Sequence, residues 1–472
     1  MIHISPEGIM SIAIWEYNPK CPSGHFFLLY FPSIHKLWKR YIKYSIKIKE
    51  GVKKHMLSYI IEGGRRLEGE VTISGSKNAS LPIIAASILS GKTTKLYHVP
   101  DIHDTRITLE ILKHLGCKVK KNNGKIEIDS KHMDRHEIPE HLMREMRSTV
   151  VLAGAIIGRF KEAVFSYPGG CDIGARPIDL HLAAFKKLGI NIEEEAGYIS
   201  CKCDKIVGTK IDFDFPSVGA TENAILASVF AEGETIITNA AMEPEIVDLA
   251  NMLNAMGAKI EGAGTKLVKV TGVEALKEVS YKVMPDRIEA GTFLCMGAIT
   301  GGTILLKDVV PEHITPILSK LEECGNTIQV KGNTILLTAP KKLKGVDIKT
   351  MPYPGFPTDM QSVFGAMLTV AKGPSVIIEN IFENRYKYVG ELKRMGAKIT
   401  VEGKTAVIKG VRKLSGATVK STDLRGGAAL VTAGLIARGK TKVEHIEYIL
   451  RGYENLDQKL RNLGASIEVV EG

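Results

Sequence analysis

The sequence predicts an α/β protein of two domains, each assembled from three copies of one small unit. Three observations carry that prediction. A short string, an apolar helix end followed by Gly and then a strand, recurs six times along the 472 residues. Other helices in the repeat are made of small residues, a composition suited to burial on every side. The balance of 44% hydrophobic and 24% charged residues is that of a globular chain, and the length exceeds one ordinary core.

The six strings lie at 115–119, 188–192, 256–260, 324–328, 395–399 and 463–467, around Gly116, Gly189, Gly257, Gly325, Gly396 and Gly464. The glycines fall about 70 residues apart, too long for a common solenoid and right for one α/β unit each. A Gly directly after a helix relieves the left-handed cap conformation. An alternating strand follows each one, and in the first five copies a turn and a second strand come next. Residues 122–124 and 331–333, Asn-Asn-Gly and Lys-Gly-Asn, are such turns. The runs 223–228 and 426–430 typify the small-residue helices; six of them in two groups of three make two domains.

The sixth copy stops at Glu471 and Gly472, where its second strand should begin. Strand-like residues at 59–61 and 70–73 precede the first full unit. The expected organisation follows: residues 77–284 form a domain of units one to three, and residues 56–76 with 285–472 form a domain of units four to six, completed by the N-terminal strands. The chain would cross between domains near Ser76 and near Pro285. Paired crossovers make a hinge, and a hinge between two lobes makes a closing cleft.

Residues 1–55 read differently. They hold nine Lys and Arg against three Asp and Glu, so they supply +6 of the formal charge of +11, and they contain both tryptophans, Trp15 and Trp38. No apolar run there is long enough for a membrane span, and the order of apolar and basic parts does not suit a signal peptide. The reading is an extension outside the fold, ahead of a start at Met56; its rival is a basic amphipathic segment that touches a membrane or a partner. The remaining charge is mildly basic and does not demand a nucleic-acid partner; a pocket for an anionic metabolite accounts for it as well. A nucleic-acid binder would set its charge in a stripe with exposed aromatics, and here the aromatics cluster in the extension.

Seven cysteines, an odd number without disulfide spacing in a chain with no export signal, fit a reducing cytoplasm. Cys201 and Cys203 alternate in a strand and lack the second pair that a zinc site needs. No Walker loop, no GxGxxG after a strand and no HExxH helix occurs, which removes support for nucleotide hydrolysis, dinucleotide redox chemistry and zinc proteolysis.

Charged and polar residues recur at two places in the repeat. Lys77, Asn78, Arg147, Glu222, Asn223, Asp286, Arg287, Asp359 and Arg425 stand at the expected starts of buried helices. Residues 171–176, Arg385 and Arg451 stand in the loops before the second helices. Any one of these is an ordinary surface group or ion-pair partner. Their recurrence at equivalent places is what points to a site, because several helix N-termini and cations aimed at one cleft favour a small polyanion such as phosphoenolpyruvate. Cys171 sits among glycines, after Gly169 and Gly170 and before Gly174, with Arg176 near enough to favour thiolate.

Several segments resemble the UDP-N-acetylglucosamine enolpyruvyl transferase family: 74–79 (SGSKNA), 146–148 (MRS), 168–177 (PGGCDIGARP), 217–223 (SVGATEN), 357–361 (PTDMQ), 381–385 (IFENR), 423–425 (DLR) and 451–454 (RGYE). The resemblance runs from about residue 56 to the end. It implies two domains, each an inside-out α/β barrel of three βα units with the helices in the middle. It implies that Lys77, Arg176 and Arg451 hold phosphoenolpyruvate with Arg147 and Arg425 nearby. It places Asn78, Pro177, Asp179, Leu180, Ser217, Val218, Gly219, Asp359 and Ile381 around the UDP-sugar.

The implied reaction is addition followed by elimination: the methylene carbon of phosphoenolpyruvate gains a proton, the sugar 3-hydroxyl attacks the neighbouring carbon, and phosphate leaves. A hydroxyl needs a base, for which Asp359 is the candidate. Lys77 and Arg451 would offset developing charge. Cys171 would donate the proton or form a covalent adduct, and the resemblance favours the adduct with a part in product release. No metal or organic cofactor is required. The expected partners are two small molecules, phosphoenolpyruvate and UDP-N-acetylglucosamine, with no nucleic acid and no membrane for the core; the sequence does not set the oligomeric state. Two alternatives stand beside this: a 5-enolpyruvylshikimate-3-phosphate synthase-like transferase, disfavoured by the Cys loop and the 217–223 string, and a non-catalytic UDP-sugar-binding regulator, disfavoured by retention of Cys171, Asp359, Lys77, Arg176 and Arg451 together.

Overall fold

A computed structural model describes residues 2–4, 10–12, 57–122, 124–169 and 178–471. By its internal contacts the chain divides into residues 1–55 and 56–472. In the first part, Ile2–Ile4 pairs antiparallel with Met10–Ile12.

The second part is six repeats of a helix followed by a small sheet. The helices are α1 (Lys77–Ala86), α2 (Val151–Phe160), α3 (Val218–Ser228), α4 (Arg287–Thr300), α5 (Thr358–Leu368) and α6 (Leu424–Gly434). Their residues are buried on nearly all sides, which is why they are built from Ala, Gly, Ser and Thr among the larger apolar side chains. Small residues let the helices approach closely. At Gly154 of α2 a Cβ would lie 2.5 Å from Oδ1 of Asn223 in α3, so any side chain there would force the two helices apart.

Each helix is followed by a strand and an amphipathic second helix, and then by a hairpin in units one to five and a single strand, Ser466–Glu471, in unit six. The Gly that ends the second helix has φ of 100° at Gly116, 83° at Gly189, 103° at Gly257, 98° at Gly325, 92° at Gly396 and 94° at Gly464. All six lie in the left-handed region, where other residues are strained. The recurring string is therefore a backbone requirement repeated six times.

Strand pairing closes each group of three units into a ring. In units one to five the strand after the buried helix pairs antiparallel with the last strand of its own unit, and in unit six with the N-terminal strand Leu57–Glu62; on its other side it pairs parallel with a segment from outside its unit. Lys210–Asp212, from the end of unit two, pairs with Glu234–Thr238 of unit three. Val279–Lys282, from the end of unit three, pairs with Thr93–Tyr97 of unit one and closes the first ring. In unit two this place is held by a single parallel bridge, Glu137 to Val164. The second ring closes through the N-terminal strands: Leu57–Glu62 lies between Lys440–Glu444 and Ser466–Glu471, and Glu68–Thr72 pairs parallel with Thr303–Lys307 of unit four.

Two hydrophobic cores result. One runs from Ala79 to Val283 around α1, α2 and α3; the other takes Tyr59 to Ile73 and Ile288 to Ile467 around α4, α5 and α6. The two passages between them lie side by side. Gly75 bridges Pro285, the Ser76 N–H donates to the Met284 carbonyl at 2.8 Å, and the Asp286 N–H donates to the Ser74 carbonyl at 2.8 Å.

One sequence expectation is corrected here. Glu222 and Asn223 do not stand at a helix start; α3 begins at Val218, with Ser217 as its cap, and both residues lie a turn inside. Cys201 and Cys203 are buried free thiols, and burial pushes Cys201 up to about 12. No group of His, Cys, Asp and Glu among the described residues has the arrangement of a metal site.

Candidate active site

Asp359 is the second residue of α5 and Arg425 the second of α6, while Arg385 lies in the loop before Tyr388–Arg394. The three converge. Asp359 Oδ1 accepts from Arg385 Nη2 at 2.7 Å, and Oδ2 accepts from Arg425 Nη2 at 3.0 Å. The guanidiniums are 3% and 4% exposed and the carboxylate 26%, so the cations stand behind it and hold it toward solvent. Burial alone would lower the Arg425 pKa; Tyr453, whose ring centroid is 5.3 Å away, with Asp359 and Asp286 reverses that and holds it charged. Asp423 caps α6 by accepting from the Arg425 and Gly426 N–H groups at 3.1 and 2.9 Å.

Ile381 sits in the adjoining loop, organised by buried Glu379. That carboxylate accepts from the Ile381 N–H at 2.8 Å and the hydroxyls of Thr350 and Thr358 at 2.9 and 3.0 Å. Glu379 and Arg385 thus hold the catalytic candidate in place. The sequence marks both Arg385 and Asp359 but not their pairing, and it does not mark Glu379.

Lys77, first residue of α1, and Arg451, last of the 3-10 turn Ile446–Arg451, meet on Asp104. Asp104 Oδ2 lies 2.8 Å from Lys77 Nζ, and Oδ1 accepts from Arg451 Nε at 2.9 Å. Burial would raise this carboxyl, but the charges of Lys77 and Arg451 outweigh it and hold it below the ordinary value. Sequence reasoning missed Asp104 because an acid in the first turn of a helix, here His103–His114, is an ordinary complement to the dipole. The Lys77 N–H donates to Asp286 Oδ2 at 3.0 Å, tying the start of α1 to the cap of α4. Arg287 pairs at 3.0 Å with Glu245, both buried, and so serves a structural ion pair.

A third group gathers around α3. Ser217 caps the helix through a 3.4 Å bond from the Ala220 N–H, with Val218 and Gly219 in the first turn. Asp179 and Leu180 open the helix Asp179–Lys187, and Arg147 opens a 3-10 turn ahead of α2. His181 and Asn223 knit these elements together. Asn223 Oδ1 accepts from the Gly154 N–H at 2.8 Å, and Nδ2 donates to the Val150 carbonyl at 3.0 Å and lies 2.7 Å from His181 Nδ1. The Gly154 bond fixes the amide orientation, so His181 Nδ1 accepts and Nε2 carries the proton. Burial, and next the charge of Arg147, push His181 down to about 4, so the ring is neutral. A Cβ on Gly219 would come 3.0 Å from His181 Cε1, so glycine there lets the helix start lie against the ring.

Asn78 follows Lys77 in α1. Cys171, Arg176 and Pro177 lie outside the described residues. What the structure brings together is thus a carboxylate backed by two arginines, a lysine and an arginine sharing one buried aspartate, and a polar helix start beside a neutral histidine.

A family profile described as EPSP synthase (3-phosphoshikimate 1-carboxyvinyltransferase) matches residues 61–460. The protein named UDP-N-acetylglucosamine 1-carboxyvinyltransferase 2 from Carboxydothermus hydrogenoformans is 51% identical over 417 residues, covering 88% of this chain and 100% of that one. The UDP-N-acetylglucosamine 1-carboxyvinyltransferase of Geotalea uraniireducens is 49% identical over 412 residues, 87% of this chain and 99% of its own. Among solved structures, the enolpyruvyl transferase NikO from Streptomyces tendae aligns with a TM-score of 0.80 at 24% identity, over 89% of this chain and 100% of that one. EPSP synthase from Acinetobacter baumannii aligns with a TM-score of 0.69 at 19% identity, over 88% of this chain and 100% of that one. These structural likenesses establish the fold, two domains of three βα units with the helices inside. With about half of the aligned residues identical to those of such relatives over nearly their full length, the chain belongs to the enolpyruvyl transferase family, with the UDP-N-acetylglucosamine 1-carboxyvinyltransferases as its relatives.

Proposed function

We propose that the protein transfers the enolpyruvyl group of phosphoenolpyruvate to the 3-hydroxyl of UDP-N-acetylglucosamine and releases phosphate, the first committed step of peptidoglycan precursor synthesis. The observation that carries this reading is the pairing of two charge clusters: Asp359 held by Arg385 and Arg425, and Lys77 with Arg451 on Asp104. The first offers a base with both oxygens oriented. The second offers cations for a phosphate and a carboxylate.

In the reaction Lys77, Arg176 and Arg451 hold phosphoenolpyruvate, with Arg147 and Arg425 completing the positive field. Asp359 takes the proton of the 3-hydroxyl as its oxygen bonds to the central carbon, while a proton reaches the methylene carbon. Loss of a proton from that carbon and departure of phosphate restore the double bond. Cys171 supplies a proton or a covalent adduct from its loop. The UDP-sugar lies along Asn78, Pro177, Asp179, Leu180, the start of α3 at Ser217, Val218 and Gly219, and the Asp359 and Ile381 loops. Residues 77–284 act as one lobe and residues 56–76 with 285–472 as the other. The enzyme works in the cytoplasm on small molecules; among the described residues no helix is long and apolar enough to cross a membrane.

The test is phosphate release from phosphoenolpyruvate by the full chain with UDP-N-acetylglucosamine, with shikimate-3-phosphate, or with neither. Release with the UDP-sugar alone is expected. Release with shikimate-3-phosphate alone, or none at all, overturns the reading.

A further inference from the structure

Lys77 and Arg451 come from different hydrophobic cores. Lys77 opens α1 of the first, and Arg451 ends a turn whose Ile446 and Ile449 are buried in the second. Asp104 forms ion pairs with both. Its side chain is 1% exposed, whereas those of Lys77 and Arg451 are 14% and 15% exposed. The carboxylate therefore stands behind the two cations and away from the open side. A second tie runs between the flanking segments: the N–H of Asp101, just ahead of the helix that carries Asp104, donates to Oε1 of Glu454, just after Arg451, at 2.8 Å.

The geometry of the pair follows from this arrangement. Two neighbouring cations repel each other, and a shared counter-ion sets their spacing. Contact at the Nε edge also fixes the plane of the Arg451 guanidinium, and with it the direction of its other donors. A carboxylate serving only the dipole of its helix would need neither partner.

We propose that Asp104 is a positioning residue for phosphoenolpyruvate: it sets Lys77 from one lobe and Arg451 from the other at the spacing and orientation that grip the phosphate and carboxylate of that substrate. This rests on the assignment of phosphoenolpyruvate to Lys77 and Arg451 made above. The grip is complete only where the two lobes meet, so substrate affinity and lobe contact depend on one buried carboxylate.

Steady-state kinetics of Asp104→Asn and Asp104→Glu, with the two substrates varied separately, tests the proposal. In Asp104→Asn the kcat/KM for phosphoenolpyruvate falls about 10- to 100-fold, the range for loss of a group that orients another ligand, while the KM for UDP-N-acetylglucosamine stays within about twofold. Asp104→Glu restores part of the loss. A purely structural carboxylate would lower the melting temperature and leave both kinetic values near those of the unchanged protein. A kcat/KM for phosphoenolpyruvate that is unchanged, or a loss shared equally by both substrates, overturns the proposal. Should Asp104→Asn not fold, Asp104→Glu carries the same test, since it keeps the charge and displaces it by one methylene. Phosphoenolpyruvate binding, read as a thermal shift, separates the two hypotheses. If the unchanged protein binds it without releasing phosphate, the proposed reaction fails while weaker binding by the variants still sustains the role of Asp104, and equal binding sinks it.

Discussion

Two polar sites of this protein, one in each ring, are prepared by different physics. Around α3 in the first ring, a neutral network of Asn223, His181, Gly154 and Val150 fixes the helix start through hydrogen bonds. Around α5 and α6 in the second, ion pairs among Asp359, Arg385 and Arg425 do the corresponding work. The difference suits the ligands proposed for each. A neutral scaffold presents amides and hydroxyls to a sugar nucleotide, while a charged one places a base beside a substrate whose charge is changing. Removing charge around α5 and α6 should therefore strike turnover, and breaking the Asn223 network around α3 should strike stability.

The largest effect is expected at Asp359. Asp359→Asn keeps the shape and removes the proton acceptor, and kcat should fall about 10²- to 10⁴-fold, the usual contribution of a general base. The variant also leaves the buried Arg385 and Arg425 without their shared counter-ion, so its melting temperature should drop as well. Turnover close to that of the unchanged protein would remove Asp359 as the base and erase the contrast between the rings.

Asn223→Ala attacks the neutral side. It strands the Gly154 N–H, the Val150 carbonyl and His181 Nδ1 in a buried setting. Each unsatisfied group costs about 1–3 kcal/mol, so chemical denaturation should show a loss of several kcal/mol. A loss below about 1 kcal/mol would mean that water or repacking supplies the missing partners.

The same network gives the first ring a dependence on acid. Unfolded histidine titrates near 6.5, while His181 in the fold is pushed down to about 4. Between those values the unfolded chain binds a proton that the folded chain refuses. The stabilisation is full above pH 6.5 and is lost as pH falls toward about 4, with a ceiling of about 3 kcal/mol for such a shift. Glu222, buried in α3 and facing Glu245 and Glu243, has the opposite sign: burial raises its pKa well above 4.5, so its stabilisation is full below that value and is lost as pH rises. Because the two oppose each other, the measurement is the difference between the unchanged protein and His181→Gln from pH 8 to pH 4. A difference that does not shrink on acidification would contradict the neutral assignment of His181.

How far the sequence reveals these features depends on whether the requirement is local. The six repeat glycines were legible because a left-handed residue after a helix excludes most other side chains, whatever surrounds it. The buried helices were legible because close approach on every side demands small residues. Asp104 was not legible: its neighbours in sequence make it an ordinary helix-start acid, and its partners are 27 residues before it and 347 after it. Glu379 was not legible because, just after a strand, it reads as an ordinary loop acid, and the threonines it holds lie 29 and 21 residues before it. Glu222 and Asn223 were placed one turn early because a run of small polar residues does not announce its first helical residue; the Ser217 cap decides it. Cys171, the most conspicuous sequence feature, lies in the stretch outside the described residues.

The smallest expected effect separates a cap from a ligand-binding group. Ser217 accepts one rather long hydrogen bond, 3.4 Å from the Ala220 N–H, whereas Asp423, the cap of α6, accepts two at 3.1 and 2.9 Å and carries a charge. By capping alone Ser217→Ala should cost no more than about 1 kcal/mol, the lower part of the usual range. If Ser217 also meets the UDP-sugar, the KM for UDP-N-acetylglucosamine should rise by about 5- to 10-fold while that for phosphoenolpyruvate holds, as loss of one neutral hydrogen bond implies. A stability change without a change in that KM would leave Ser217 as a helix cap and move the sugar site away from the start of α3. The neutral network behind it would then serve only to pack α2 against α3.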